Sequence, residues 1–156
     1  MRVHILAVGR LRAGPEKDLI DDYLKRFDRT GRSLGLGPAR VIEVDDRKGS
    51  GMTGEAEALR RALPKGAVLA VLDERGRVES SPDFAQRLAG WRDQGRGDLA
   101  FVIGGADGIE PALRAEADFA LSFGKMVWPH MLVRVMLTEQ LYRAASILAG
   151  APYHRT

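Results

Sequence analysis

Five short runs of apolar, mostly β-branched or aromatic residues, 3–8, 41–44, 67–72, 99–103 and 119–122, recur along the chain with stretches of helical periodicity between them. Strands that read as continuous apolar runs are buried on both faces, as in a parallel sheet covered by helices. The alternation therefore predicts an α/β fold with a mostly parallel sheet. Leu19, Ile20, Tyr23, Leu24 and Phe27 share one face of a helix over 15–27, and a second helix over about 54–63 stops near Pro64. Ser81-Pro82 opens a third, with Phe84, Leu88 and Trp91 as its buried stripe, and a short helix opens at Pro111.

The longest helix is expected from Pro129 to about Ala149, closed by Gly150 and Pro152. Its first half, with Met131, Leu132, Val133, Val135, Met136, Leu137 and Leu141, is apolar almost all round. A helix with one wet face does not look like that. In a chain of 156 residues the second covering layer can come from another copy, so a homodimer with this helix in the interface is expected; the alternative is a helix wrapped within one subunit. Residues 31–38, rich in Gly, and 45–54, with Asp45, Asp46, Arg47, Lys48 and three glycines, read as loops.

The length suits one domain, 1–156, and 45% hydrophobic with 29% charged residues is the composition of a folded globular protein. Cysteine is absent, which removes disulfides, thiolate metal sites and a Cys nucleophile and points to the cytoplasm. His4, His130 and His154 are scattered without metal-ligand spacing, so no metal is assigned; His4 and His130 read as structural. No apolar run reaches the ~20 residues that span a bilayer, and no leader precedes the first strand, so neither secretion nor a membrane partner is expected. The net charge is +3, and 19 of the 24 basic residues are Arg, which grips phosphate bidentately and stacks on bases. Nucleic acid is thus a candidate partner.

Three strand ends carry the candidate chemistry. The strand 99–103 runs into Gly104-Gly105-Ala106-Asp107-Gly108, where the backbone can approach a ligand at the carboxyl edge of the sheet. The spacing departs from G-x-G-x-x-G and lacks a Walker Lys-Ser/Thr, which disfavours NAD and nucleoside triphosphates. The second end, Leu121-Ser122-Phe123-Gly124-Lys125-Met126-Val127-Trp128-Pro129-His130, offers an apolar-walled loop suited to a flat ligand such as adenine. Leu72-Asp73-Glu74-Arg75-Gly76 is the third, and the three could converge on one pocket. Beyond the long helix, Tyr153 could stack or pin the tail, His154 could transfer a proton, and Arg155 could bind phosphate or a carbonyl.

The strand and turn Phe101-Val102-Ile103-Gly104-Gly105-Ala106-Asp107-Gly108, then Leu121-Ser122, Pro129-His130, Leu132-Val133-Arg134, Glu139-Gln140-Leu141-Tyr142-Arg143-Ala144 and the final Pro152-Tyr153-His154-Arg155, occur in order across the chain. Together these blocks closely resemble the RlmH family of ribosomal RNA large subunit methyltransferases, small members of the SPOUT superfamily. The resemblance implies an α/β fold with a C-terminal trefoil knot and a homodimer. It implies S-adenosylmethionine as cofactor and methylation of N3 of a pseudouridine in the helix 69 loop of 23S rRNA on the assembled 70S ribosome, with no part for DNA. Carried onto this sequence, cofactor contacts fall on Leu72, Gly105, Gly124, Lys125, Met126, Val127, Trp128 and Pro129, and catalytic roles on Tyr153, His154 and Arg155. The competing expectations are a non-catalytic RNA- or ribosome-binding module and a small-molecule nucleotide-binding enzyme.

Overall fold

The computed structural model describes residues 1–45 and 51–155. Strands β1 (Arg2–Val8), β2 (Ala39–Val44), β3 (Val68–Val78), β4 (Asp98–Ile103) and β5 (Phe119–Ser122) form one sheet in the order β2-β1-β4-β3-β5. Every neighbouring pair is parallel. The helices are α1 (Pro15–Gly31), α2 (Gly51–Ala62), α3 (Ser81–Asp93), α4 (Pro111–Glu116) and α5 (His130–Leu148).

Both faces of the sheet are covered, and the period-two alternation of each strand sorts its side chains between them. Val3, Ile5 and Ala7 of β1 join Phe27 of α1, Leu88 of α3 and Leu137 and Leu141 of α5 in the larger core. Leu6 and Val8 pack with Ala56 and Leu59 of α2 and Leu113 of α4 on the other side. Helix α3 starts where expected, since Ser80 accepts a hydrogen bond from the Asp83 N–H at 3.2 Å and Pro82 occupies the first turn. His4 is structural, buried with Nε2 2.8 Å from Asp98 Oδ1.

Three local expectations are corrected. Segment 31–38 is largely ordered structure: α1 reaches Gly31, one 3-10 turn follows over Arg32–Leu34, and Leu36 turns back into the core with its N–H 2.9 Å from the Gly31 carbonyl. A β-carbon on Gly31 would stand 2.5 Å from the Leu36 oxygen, so this glycine permits close packing. Helix α2 begins at Gly51 rather than near Gly54, and residues 46–50 of the expected loop lie outside the described residues. Strand β3 runs on past Leu72 to Val78. Its pairing with β5 is interrupted between Leu72 and Arg77 and resumes at Arg77 and Val78, which a polar stretch, Asp73-Glu74-Arg75-Gly76-Arg77, does not advertise. Among the described residues no helix is long and apolar enough to cross a membrane.

Candidate functional site

The ends of β3, β4 and β5 do converge, and a cavity of about 710 Å³ opens between them, within the range of a small-molecule cofactor site. Leu72, Gly105, Gly124, Met126, Val127, Trp128 and Pro129 all line it. Lys125 does not; its side chain is exposed beside the loop. The apolar wall is completed by Ile103, Ile109 and Val133, while Asp73, Glu74 and Asp107 bring carboxylates to the lining.

Each wall is held by a specific contact. In the β4 turn a β-carbon on Gly104 would lie 2.7 Å from the Gly108 carbonyl, and one on Gly105 would lie 2.9 Å from Glu55 Oε1. Only glycine fits at Gly104, because the turn closes there on its own backbone, while at Gly105 a side chain would have to push aside the carboxylate of buried Glu55 of α2. The β3 bulge is braced by Asp73, which accepts from the Arg75 N–H at 2.9 Å and from Arg114 Nη1 of α4 at 3.0 Å. Ser122 at the end of β5 joins two of the walls: its Oγ donates to the Glu74 carbonyl and accepts from the Gly124 N–H, both at 3.0 Å.

Arg134, one residue beyond Val133 in α5, is only 1% exposed. Its Nη1 donates to Glu43 Oε2 at 2.8 Å and its Nη2 to the carbonyls of Val8 and Gly9 at 3.0 and 2.8 Å. The α5 N-terminus is thereby bolted to the ends of β1 and β2. Burial alone would raise the Glu43 carboxyl, but a bond from the Leu11 N–H and the charge of Arg134 outweigh it and hold the group below its ordinary 4.5. The sequence offered Arg134 only as part of the block Leu132-Val133-Arg134, with no role, and Glu55 not at all; the signal for Arg134 is a lone cation inside the apolar run 131–137.

The tail is ordered and folds back onto the middle of α5. Tyr153 donates to Glu139 Oε1 at 3.0 Å, its ring lies 4.6 Å from that of Tyr142, and Arg143 stacks over it at 4.8 Å. Burial, then the bond to Glu139, pushes the Tyr153 phenol up to about 12, so it stays a neutral donor. Arg143 Nη1 stands 3.1 Å from His154 Nδ1. A guanidinium only donates, so Nδ1 is the accepting nitrogen and neutral His154 carries its proton on Nε2. The tail is anchored through Glu139 and Arg143, about 9 and 15 Å along the helix axis from Val133 at ~1.5 Å per residue, and none of Tyr153, His154 and Arg155 lines the cavity.

A family model described as "Predicted SPOUT methyltransferase" matches residues 1–154. Proteins named ribosomal RNA large subunit methyltransferase H from Roseobacter denitrificans and Ruegeria pomeroyi are 85% and 78% identical over 155 residues, in each case 99% of both chains. Among solved structures, a probable methyltransferase from Bordetella pertussis aligns with a TM-score of 0.52 at 15% identity, covering 92% of this chain and 96% of its own. A probable methylase family protein from Haemophilus influenzae aligns with the same score at 11% identity, over 99% of this chain and 70% of its own, and these two likenesses concern the fold alone.

Proposed function

The chain belongs to the SPOUT methyltransferase family, and from that premise we propose that it transfers a methyl group from S-adenosylmethionine to N3 of a pseudouridine in the helix 69 loop of 23S rRNA, acting on the assembled 70S ribosome in the cytoplasm. In this reading residues 1–156 are one catalytic domain, its C-terminal part tied in a trefoil knot. The observation that carries the reading is the cavity where three strand ends meet.

The lining suits S-adenosylmethionine. Leu72, Met126, Val127, Trp128 and Pro129 provide flat apolar wall for an adenine, the glycine turn lets backbone come close, and the carboxylates of Glu74 and Asp107 can accept from hydroxyl and ammonium groups. When bound, this cofactor supplies a methyl group already activated on a sulfonium. What remains for the protein is to align the acceptor, exclude water and manage the N3 proton. Lys125, outside the lining, is assigned the rim of the same site, where an ammonium faces the incoming RNA.

The separation of tail and cavity supports a homodimer in which the tail of one copy completes the cavity of the other. Met126, Val127, Met131 and Leu132 are exposed along the loop and the start of α5, and a smaller cavity of about 420 Å³ opens beside Val135 and Met136. A second copy would cover both. In the tail, His154 presents an N–H and Arg155 a permanent cation, which together stabilise the anion that forms as the base gives up its N3 proton to water; Tyr153 holds the tail in place.

The test uses ribosomes from a strain lacking the protein, labelled S-adenosylmethionine and mass mapping of the helix 69 loop. One methyl group on the pseudouridine is expected. Cofactor binding by calorimetry without transfer would instead indicate a non-catalytic RNA-binding module, and no binding at all would refute the cofactor assignment.

A further inference from the structure

The loop 9–14, between β1 and α1, lies outside the cavity lining, yet a buried cation holds it. Arg134 donates to the carbonyls of Val8 and Gly9, and Glu43, held by the same Arg134, accepts from the Leu11 N–H at 2.5 Å. Gly9 turns with φ of +90°, a conformation that L side chains rarely adopt. The segment thus leaves the sheet in one fixed direction although Leu11 is its only large apolar residue.

What this anchoring presents is charge. Arg10 and Arg12 are both exposed, and no hydrogen bond or close ion pair holds either among the described residues, although the charge of Arg10 also acts on the Glu43 carboxylate. By contrast, exposed Arg75 at this edge pairs with Asp73, and half-buried Arg114 pairs with the same carboxylate. The position is adjacent to the cavity, because β1 pairs with β4, whose turn forms one wall, and because Val133, which lines the cavity, precedes the anchoring Arg134. Neighbouring strands are ~4.8 Å apart, so the loop leaves the sheet one strand away from the β4 turn.

We infer that the 9–14 loop is a phosphate clamp for the RNA substrate, with Arg10 and Arg12 gripping the backbone that flanks the target base. The inference rests on the RNA methyltransferase reading and adds to it the surface that positions the substrate. Two exposed guanidiniums on a braced loop bind phosphate at a smaller ordering cost than the same groups on a slack one.

The experiment compares Arg10→Ala and Arg12→Ala with Lys65→Ala, an exposed lysine at the opposite, amino edge of the sheet whose loss changes the net charge equally. Steady-state and single-turnover methylation of undermethylated ribosomes would be measured over a range of salt concentrations, with cofactor affinity by calorimetry and thermal unfolding as controls. Each Arg variant is expected to raise the KM for ribosomes about 3- to 10-fold, to lower the slope of log KM against log salt by about 1, and to keep its single-turnover rate at saturation and its cofactor affinity. Behaviour of both Arg variants indistinguishable from Lys65→Ala would overturn the inference. So would a fall in rate at saturation with KM unchanged, or lost cofactor affinity. Wild-type protein that fails to methylate ribosomes would refute the function itself, a separate outcome.

Discussion

Arg134→Met is the substitution that most directly tests how the α5 N-terminus is held. Methionine keeps much of the apolar stem but removes the group that donates to Glu43, Val8 and Gly9. Truncating one partner of a buried ion pair costs ~3–5 kcal/mol, mainly through the charge left behind. Here Glu43 is 33% exposed and keeps its bond from the Leu11 N–H, so its share falls at or below the bottom of that range. The two carbonyls add ~1–3 kcal/mol each if no water reaches them and much less if it does. The expected loss is ~3–4 kcal/mol, a large part of the ~5–15 kcal/mol that a domain has. In urea, with m near ~2 kcal/mol/M, the midpoint falls by ~2 M at fixed protein concentration. Adding Glu43→Gln should cost little more than the single change, since the orphaned charge is then gone. A midpoint shift below ~0.5 M with unchanged m would refute the idea that Arg134 bolts the helix to the sheet.

Gly105→Val should raise the cofactor Kd at least ~10-fold in calorimetry, because its β-carbon would displace the Glu55 carboxylate and deform the turn; unchanged affinity would contradict the wall assignment. Met136→Asp puts a charge beside the smaller cavity on the exposed side of α5 and should yield monomers in sedimentation, whereas an intact dimer would count against an interface there. Asp98 is held below its ordinary 3.8 by His4 first and Arg2 next, so its contribution to stability is full above that value and disappears as pH falls through the lower folded-state value. Melting temperature should drop in that acid window for the wild type and be flatter in Asp98→Asn. His154→Ala should slow single-turnover methylation of saturating ribosomes ~10²-fold while leaving cofactor affinity unchanged; near-normal turnover would remove His154 from the reaction.

The sheet was legible because parallel strands covered on both faces are written as apolar runs, and the three ends forming the cavity were legible because each carries glycine beside such a run. The second half of β3 was not. Its residues leave the ladder at Leu72 and rejoin at Arg77, and a polar segment stabilised by Arg114 from another helix has no local signature. Gly31 was misread for a related reason: glycine signals freedom in sequence, yet here it makes room for Leu36. Tyr153, His154 and Arg155 were identifiable by residue type, but their distance from the cavity depends on where α5 carries them. Arg134 was hidden by its surroundings, since a charge in an apolar run looks like an interruption until the carbonyls and carboxylate around it are seen.

Helix α5 works as a ruler with an angular scale. Its start carries Val133 and Arg134 at the cavity, and its middle carries Glu139 and Arg143, on which the tail rests. At 3.6 residues per turn, inserting a single residue between them would rotate everything beyond by ~100° and advance it only ~1.5 Å. The tail's footing would then face a different direction while every residue stayed the same. Amino-acid exchanges along this span alter contacts one at a time, but a change of length shifts the phase between the two sites at once.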